Sequence, residues 1–94
     1  MLKLKVSYND SNVTIVNKLI ESIKDIEFET YNEDVYRERK KAFGLRYEWG
    51  TKLSPFAILY AEDKPIKAFY TDDNTFNIDY INNFIKNNYE STSN

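Results

Sequence analysis

The apolar run at residues 55–61, PFAILYA, places the strongest constraint on the fold. Its alternate positions carry Phe, Ile and Tyr on one side and Ala, Leu and Ala on the other, so a strand here would have two apolar faces. Such a strand is normally covered on both sides, which favours a central position in an α/β sheet with helices on each face. The run is also much shorter than the ~20 residues of a membrane-spanning helix.

The N-terminal half predicts a parallel βαβ unit followed by a second helix. Apolar and polar residues alternate over 2–7 and again over 26–30, as in strands with one buried face. Between them, apolar residues recur at helical spacing over 13–24. A strand, a helix and a strand within about 30 residues fit a crossover between parallel strands. Asn32 is predicted to cap the second helix and Gly44 to end it. Its narrower apolar side would carry Val35, Tyr36, Arg39, Ala42 and Phe43.

The C-terminal half predicts an antiparallel hairpin and a closing helix. Residues 45–51 have no clean period and predict a short helical turn or a loop. Four residues join the strand at 56–61 to a strand at 66–70, which favours antiparallel pairing. Asn77 would cap the final helix. The predicted fold class is α/β with the order βαβαββα, a four-stranded mixed sheet flanked by three helices. We expect one domain over residues 1–89 and a flexible tail at 90–94.

Composition excludes several kinds of chemistry. The chain has no cysteine and no histidine, which removes disulfides, thiolate nucleophiles, Cys/His zinc sites and the usual general base. Its 13 basic and 15 acidic residues give a formal charge of −2, so no global field favours a polyanion. The acidic loop around Asp72 and Asp73 lacks the Gly and the late Glu of a calcium loop, so no metal or cofactor is expected. The N-terminal MLKLKV has no continuous apolar segment, so we expect a cytoplasmic protein without a signal peptide.

A basic cluster lies in the second predicted helix and just after it. Its simplest interpretation is the solvated face and last turn of that helix. The other is a patch for an acidic partner or a phosphate backbone, which the nearby aromatic residues Tyr36, Tyr47 and Trp49 would support by stacking. The cluster consists of Arg37, Arg39, Lys40, Lys41 and Arg46.

The tripeptide Ser54-Pro55-Phe56 carries a resemblance to the thioredoxin and glutaredoxin fold. In that fold a proline in a cis peptide bond stands immediately before the third strand, and residues 52–86 look like the C-terminal half of a glutaredoxin. The chain departs from the family at Asn9–Asn12, where thioredoxins and glutaredoxins carry at least one cysteine. Because no thiol exists elsewhere to replace it, dithiol exchange is excluded. Compact cysteine-free versions of this kind resemble small phage-encoded thioredoxin-like proteins.

The resemblance implies a non-catalytic protein that acts by binding other proteins, with a phage accessory or virion role and a place in the host cytoplasm or the particle. Self-association through the edge strands at 26–30 or 66–70 is a related expectation. An alternative is a glutathione-like ligand held by Asp72, Asp73 and Lys52, and a weaker one is nucleic-acid binding through the basic cluster. In the resemblance, a groove that receives extended peptides would be bordered by Asn9, Ser11, Trp49, Ser54, Pro55, Asp72 and Asp73.

Overall fold

The computed structural model describes residues 2–51 and 54–90, with side chains described as far as residue 88. A short 3₁₀ turn, Asp10–Asn12, leads into the first helix, and a π-helical turn, Lys86–Glu90, follows the last. The strands and helices are β1 (Leu2–Tyr8), α1 (Val13–Ser22), β2 (Glu27–Asn32), α2 (Tyr36–Glu48), β3 (Phe56–Ala61), β4 (Lys64–Tyr70) and α3 (Ile78–Ile85).

The four strands form one mixed sheet in the order β2-β1-β3-β4. β1 pairs with β2 in parallel, whereas β3 pairs with β1 and with β4 in antiparallel orientation. β3 is therefore an inner strand, and β2 and β4 form the two edges. The predicted βαβαββα order and the four-stranded mixed sheet with three helices are confirmed.

Helices cover both faces of the sheet, with α2 on one face and α1 and α3 on the other. On the α2 side, Leu45 lies in a buried cluster with Phe56, Ile58 and Tyr60 of β3. The opposite side packs β1, β3 and β4 against α1 and α3. Its cluster contains Leu4, Val6, Val16, Leu19, Ile23, Ala57, Leu59, Phe69, Phe76, Ile81 and Ile85. All of 56–60 is buried, which confirms that this strand is covered on both faces.

The junction between β2 and α2 differs from the sequence prediction. Asn32 does not cap α2, because β2 continues through this residue and pairs it with Tyr8 of β1. The Asn32 side chain is buried and is used in tertiary hydrogen bonds. The helix begins at Tyr36, and Val35 precedes it without a side-chain cap. Local capping preference was therefore outweighed by the extra strand pair.

The C-terminal end of α2 also differs from the prediction, since the helix runs through Gly44 to Glu48. Leu45, one residue further, is buried against β3, so packing offsets the low helix propensity of glycine. Gly50, two residues beyond Glu48, terminates the helix in a left-handed conformation at φ +61°. The Gly50 amide donates to Tyr47 O (3.1 Å) and the Thr51 amide to Arg46 O (3.1 Å), which is a Schellman motif.

The terminal helix follows its sequence signal, whereas the hairpin differs from the prediction in the length of its turn. The predicted antiparallel hairpin is confirmed, but its turn is the two-residue Glu62-Asp63, both at positive φ, and not four residues. β4 consequently starts at Lys64, with a register shift in the ladder between Leu59 and Tyr60. Asn77 caps α3 as predicted, its side chain accepting from the Tyr80 amide at 3.0 Å. Within the described residues, no helix has the length and apolar character needed to cross a membrane.

Candidate functional site

A closed polar turn, Asn9–Asn12, connects β1 to α1. The Asn9 side chain accepts from the Ser11 amide at 2.9 Å, and the Asn12 side chain accepts from the Asn9 amide at 3.2 Å. Both amides thus have partners inside the turn, which forms a reciprocal capping box. Within this segment the Asn9 and Asn12 side chains hold the backbone, so the turn is a structural cap.

A second set of hydrogen bonds ties this turn to the segment after β2. Asn32 Nδ2 donates to Asp10 Oδ1 (2.8 Å), and Asn32 Oδ1 accepts from the Asp34 amide (2.9 Å). The Asp10 amide in turn donates to the Asp34 carboxylate at 2.8 Å. The buried Asn32 is therefore the link between two loops at the same end of the sheet. These carboxylates accept bonds from amides of the fold itself, an arrangement that stabilises the loops.

Hydrogen bonds join several of the residues predicted to border a groove. Ser54 Oγ donates to Asn12 Oδ1 at 3.3 Å, so the loop before β3 touches the turn that holds Asn9 and Ser11. The Ser54-Pro55 bond is cis, as the resemblance implies, and the Pro55 ring is buried. That these residues bind a peptide stays a prediction.

The remaining groove candidates follow other elements, and the Phe56–Tyr70 strand pair places the Asp72-Asp73 turn at the same end of the sheet as Pro55. Trp49 is half-buried and packs on the α2-side cluster. Asp72 and Asp73 are exposed in a tight turn, closed by reciprocal backbone bonds between Asp72 and Thr75 of 2.8 and 3.0 Å. Lys52, the third residue expected to hold a glutathione-like ligand, lies outside the described residues. The glutathione interpretation therefore gains no support from the geometry of the Asp72-Asp73 turn.

A small apolar cleft lies between α1 and the segment that leads into α3. Its volume is about 230 Å³, and the sequence did not indicate it because its two walls come from distant parts of the chain. None of the predicted groove residues lines it. The cleft is bordered by Thr14, Ile15, Lys18, Thr75, Phe76 and Ile78.

A charged cluster on the α2 side of the sheet contains the clearest pKa shifts. Lys3 Nζ lies 2.5 Å from Glu29, and the Tyr31 hydroxyl also donates to the Glu29 carboxylate. The hydrogen bond from Lys3, followed by that from Tyr31, lowers the pKa of Glu29. Burial, followed by the bond to Glu29, raises the pKa of Tyr31 to about 12. Both shifts lead away from neutrality, whereas a general acid or base needs a pKa close to the working pH.

The outward side of α2 exposes large aromatic side chains. Tyr36 is 86% exposed, Tyr47 90% and Phe43 46%. Of the predicted apolar side of α2, only Ala42 faces the sheet, together with Leu45. The other predicted members are exposed, so that part of the prediction is wrong: Val35, Tyr36, Arg39 and Phe43. At 100° per residue, the three aromatic positions and Lys40 fall within about 60° of one another, opposite the buried side.

Basic residues flank these aromatic side chains. Arg39 Nε donates to Glu33 O (3.0 Å), and Arg46 pairs with the Glu33 carboxylate (2.8 Å). Lys41 lies 5.9 Å from the Tyr31 ring centroid, toward the sheet side. Five outward residues border one open hollow of about 470 Å³, and Tyr47 continues the same face one turn further on. We call this surface the α2 outer face, which comprises Tyr36, Arg37, Arg39, Lys40, Phe43 and Tyr47.

The sequence indicated this surface only in part. The basic residues and two tyrosines were noted, but Phe43 was missed as a surface residue. The signal was present as the spacing 36, 40, 43 and 47, which is a second helical stripe opposite 42 and 45. For the described residues, no group of three or more acidic side chains is placed to hold a metal ion.

The comparisons with known proteins identify the fold of this chain but no protein family. No protein-family model and no curated protein sequence matches the chain. Among solved structures, thioredoxin f2 of Chlamydomonas reinhardtii matches with a TM-score of 0.58 and 17% sequence identity, over 94% of this chain and 79% of the thioredoxin. The fold is thus thioredoxin-like, as the resemblance implied.

The particular protein is a cysteine-free chain on that fold. At 17% identity the likeness concerns the fold alone. The closed polar turn and the α2 outer face are features of this chain's own sequence.

Proposed function

We propose that this chain is a non-catalytic thioredoxin-like protein that works by binding another protein. The observation that carries the proposal is the exposure of Tyr36 and Tyr47, at 86% and 90%, on one side of α2 beside the half-exposed Phe43. A single exposed aromatic residue is ordinary, whereas three on one helix face form an exposed aromatic stripe of the kind that marks an interaction site. Tyrosine and arginine are also the residue types enriched where protein interfaces gain most of their affinity.

The absence of catalysis is supported by the chemistry of the described side chains. A chain without cysteine has no thiolate for disulfide exchange. Ser11, the hydroxyl nearest to the expected nucleophile position, has no histidine anywhere in the chain to activate it. In the charged cluster, the lowered pKa of Glu29 keeps this side chain ionised near neutral pH. The raised pKa of Tyr31 keeps its hydroxyl neutral there.

The predicted groove is a second contact within the same proposal. Asn9, Ser11 and Ser54 lie in one connected set of hydrogen bonds at the end of the sheet next to α1. A phage accessory or virion role is a further part of the proposal, and it depends only on the resemblance to small phage-encoded proteins. Self-association through the edge strands β2 or β4 belongs to the same class of function.

A photo-crosslinking experiment tests the proposal. A photoreactive phenylalanine derivative replaces Tyr47 in one variant, Ser11 in a second and Glu21, an exposed residue of α1, in a third. In cells that naturally produce the protein, we expect irradiation to give a discrete protein adduct from position 47 and none from position 21. An adduct from position 11 would add the predicted groove to the interface. Equal adducts from positions 47 and 21, or none from either 47 or 11, would contradict the proposal.

A further inference from the structure

We infer that the α2 outer face docks an acidic amphipathic helix of a partner protein. The inference rests on the proposed function and names the class of partner for the same surface. Three observations support it: the spacing of the exposed residues along α2, the sign of the charges that flank them, and the repulsion that a second copy of the same helix would meet.

The spacing of the outward residues is that of a helix-docking seam. Tyr36, Lys40, Phe43 and Tyr47 are separated by four, three and four residues, which is the d-a-d-a spacing of a heptad repeat. A partner helix at this seam would meet aromatic side chains at three positions and a cation at the fourth. The 13 residues of α2 span about 20 Å, so the seam accommodates about two heptads of a partner.

The flanking positions set the charge of the partner. In this register, Arg37 occupies an e position and Arg39 and Arg46 occupy g positions, where interhelical charge pairs select partners. Arg39 and Arg46 already interact with Glu33. Arg37 and Lys40 are exposed and, as far as the described chain extends, make no ion pair. Glutamate or aspartate at the facing positions of a partner would complement these two cations.

The same charges disfavour a second copy of the chain and a nucleic acid. Two α2 outer faces brought together would place Arg37 and Lys40 of each copy in a shared field of like charge, which opposes docking. A nucleic acid would suit the cations, but single-strand binders normally line a concave basic groove with their aromatic residues. Among the residues that the structure describes, this surface is one helix face with a single open hollow and no continuous groove along it, in a chain with a formal charge of −2.

Binding to synthetic probes tests the partner class. The first probe is a three-heptad helical peptide with Leu at a and d and Glu at e and g, and the second carries Lys in place of each Glu. Fluorescence anisotropy measures their affinities for the intact chain. We expect the acidic peptide to bind at least about tenfold more tightly than the basic one. The double variant Arg37→Glu/Lys40→Glu should abolish that preference, whereas the matched variant Lys18→Glu/Lys24→Glu on and after α1 should retain it.

Three outcomes would overturn the inference. The first is no preference for the acidic peptide, including no binding at millimolar concentration. The second is binding of an oligothymidylate of about 20 nucleotides that is lost in Tyr36→Ser/Tyr47→Ser. The third is self-association of the free protein, measured by sedimentation, that the same variant removes. In the third case the proposed function stands and only the partner class fails, whereas the crosslinking at position 47 tests the proposed function by itself.

Discussion

Tyr31 is the residue whose ionisation couples most clearly to folding. Burial and the bond to Glu29 raise its pKa to about 12, whereas an unfolded tyrosine ionises near 10. A raised pKa means that the unfolded chain loses its proton first, so the stabilisation is complete below pH 10 and is lost as pH rises toward 12. We predict that Tyr31→Phe flattens the fall in unfolding free energy between these values, as measured by urea titration at several pH values.

The matched control for this prediction is Tyr47→Phe, because Tyr47 is 90% exposed. Its alkaline profile should follow that of the parent chain. Equal effects of the two substitutions would contradict the assignment of the alkaline transition to Tyr31.

Asn32 links the Asn9–Asn12 turn to the segment that follows β2. It is buried, donates to Asp10 and accepts from the Asp34 amide. Asn32→Ala leaves both partners without their bond, so we predict a loss of about 1–3 kcal/mol in unfolding free energy. Asn83→Ala on the exposed side of α3 should change it by less than about 0.5 kcal/mol. Denaturant unfolding measures both, and similar losses would show that the linking role is absent.

At the scale of the element, opposite effects are predicted for substituting Gly44 inside α2 and Gly50 just after it. Gly44 lies inside the helix, and a Cβ built there meets nothing within 4 Å. Gly44→Ala should therefore raise the unfolding free energy by about 0.5–1 kcal/mol. Gly50 sits at φ +61°, also in open space, so Gly50→Ala should cost about 1 kcal/mol through backbone strain alone. Thermal unfolding of the two variants measures these effects. A change of the midpoint in the same direction for both would refute Gly50 as the glycine that terminates α2.

The sequence was sufficient for the elements whose signals are local and consistent. The doubly apolar strand at 56–61, the Asn77 cap and the hairpin each agree with one dominant pattern. The prediction of which side of α2 faces the sheet was wrong because apolar residues lie on two opposite sides of this helix, so periodicity could not distinguish them. Asn32 and Gly44 then carried plausible capping signals that strand pairing and the burial of Leu45 outweighed.

At the scale of the whole molecule, the formal charge of −2 conceals an uneven distribution. The acidic side chains Asp10, Glu33 and Asp34 are used within the fold at the end of the sheet. Arg37 and Lys40 extend outward beside exposed aromatic residues. Net charge was therefore a poor guide to local surfaces, which depend on the side that each helix turns to the sheet. The sequence contains both stripes of α2, and tertiary contacts decide which of them becomes the α2 outer face.

This uneven distribution predicts that salt affects binding far more than folding. Raising the ionic strength from about 0.1 to about 1 M shortens the Debye length from about 10 to about 3 Å, which screens exposed charges such as Arg37 and Lys40. Affinity for the acidic helical peptide should fall by about fivefold or more, because two exposed cations attract it. The thermal midpoint should move by only a few degrees, since buried apolar clusters dominate stability. Anisotropy measures the affinity and calorimetry the thermal midpoint over the same salt series. An affinity that does not depend on salt would show that Arg37 and Lys40 do not contribute to binding and that the aromatic side chains alone account for it.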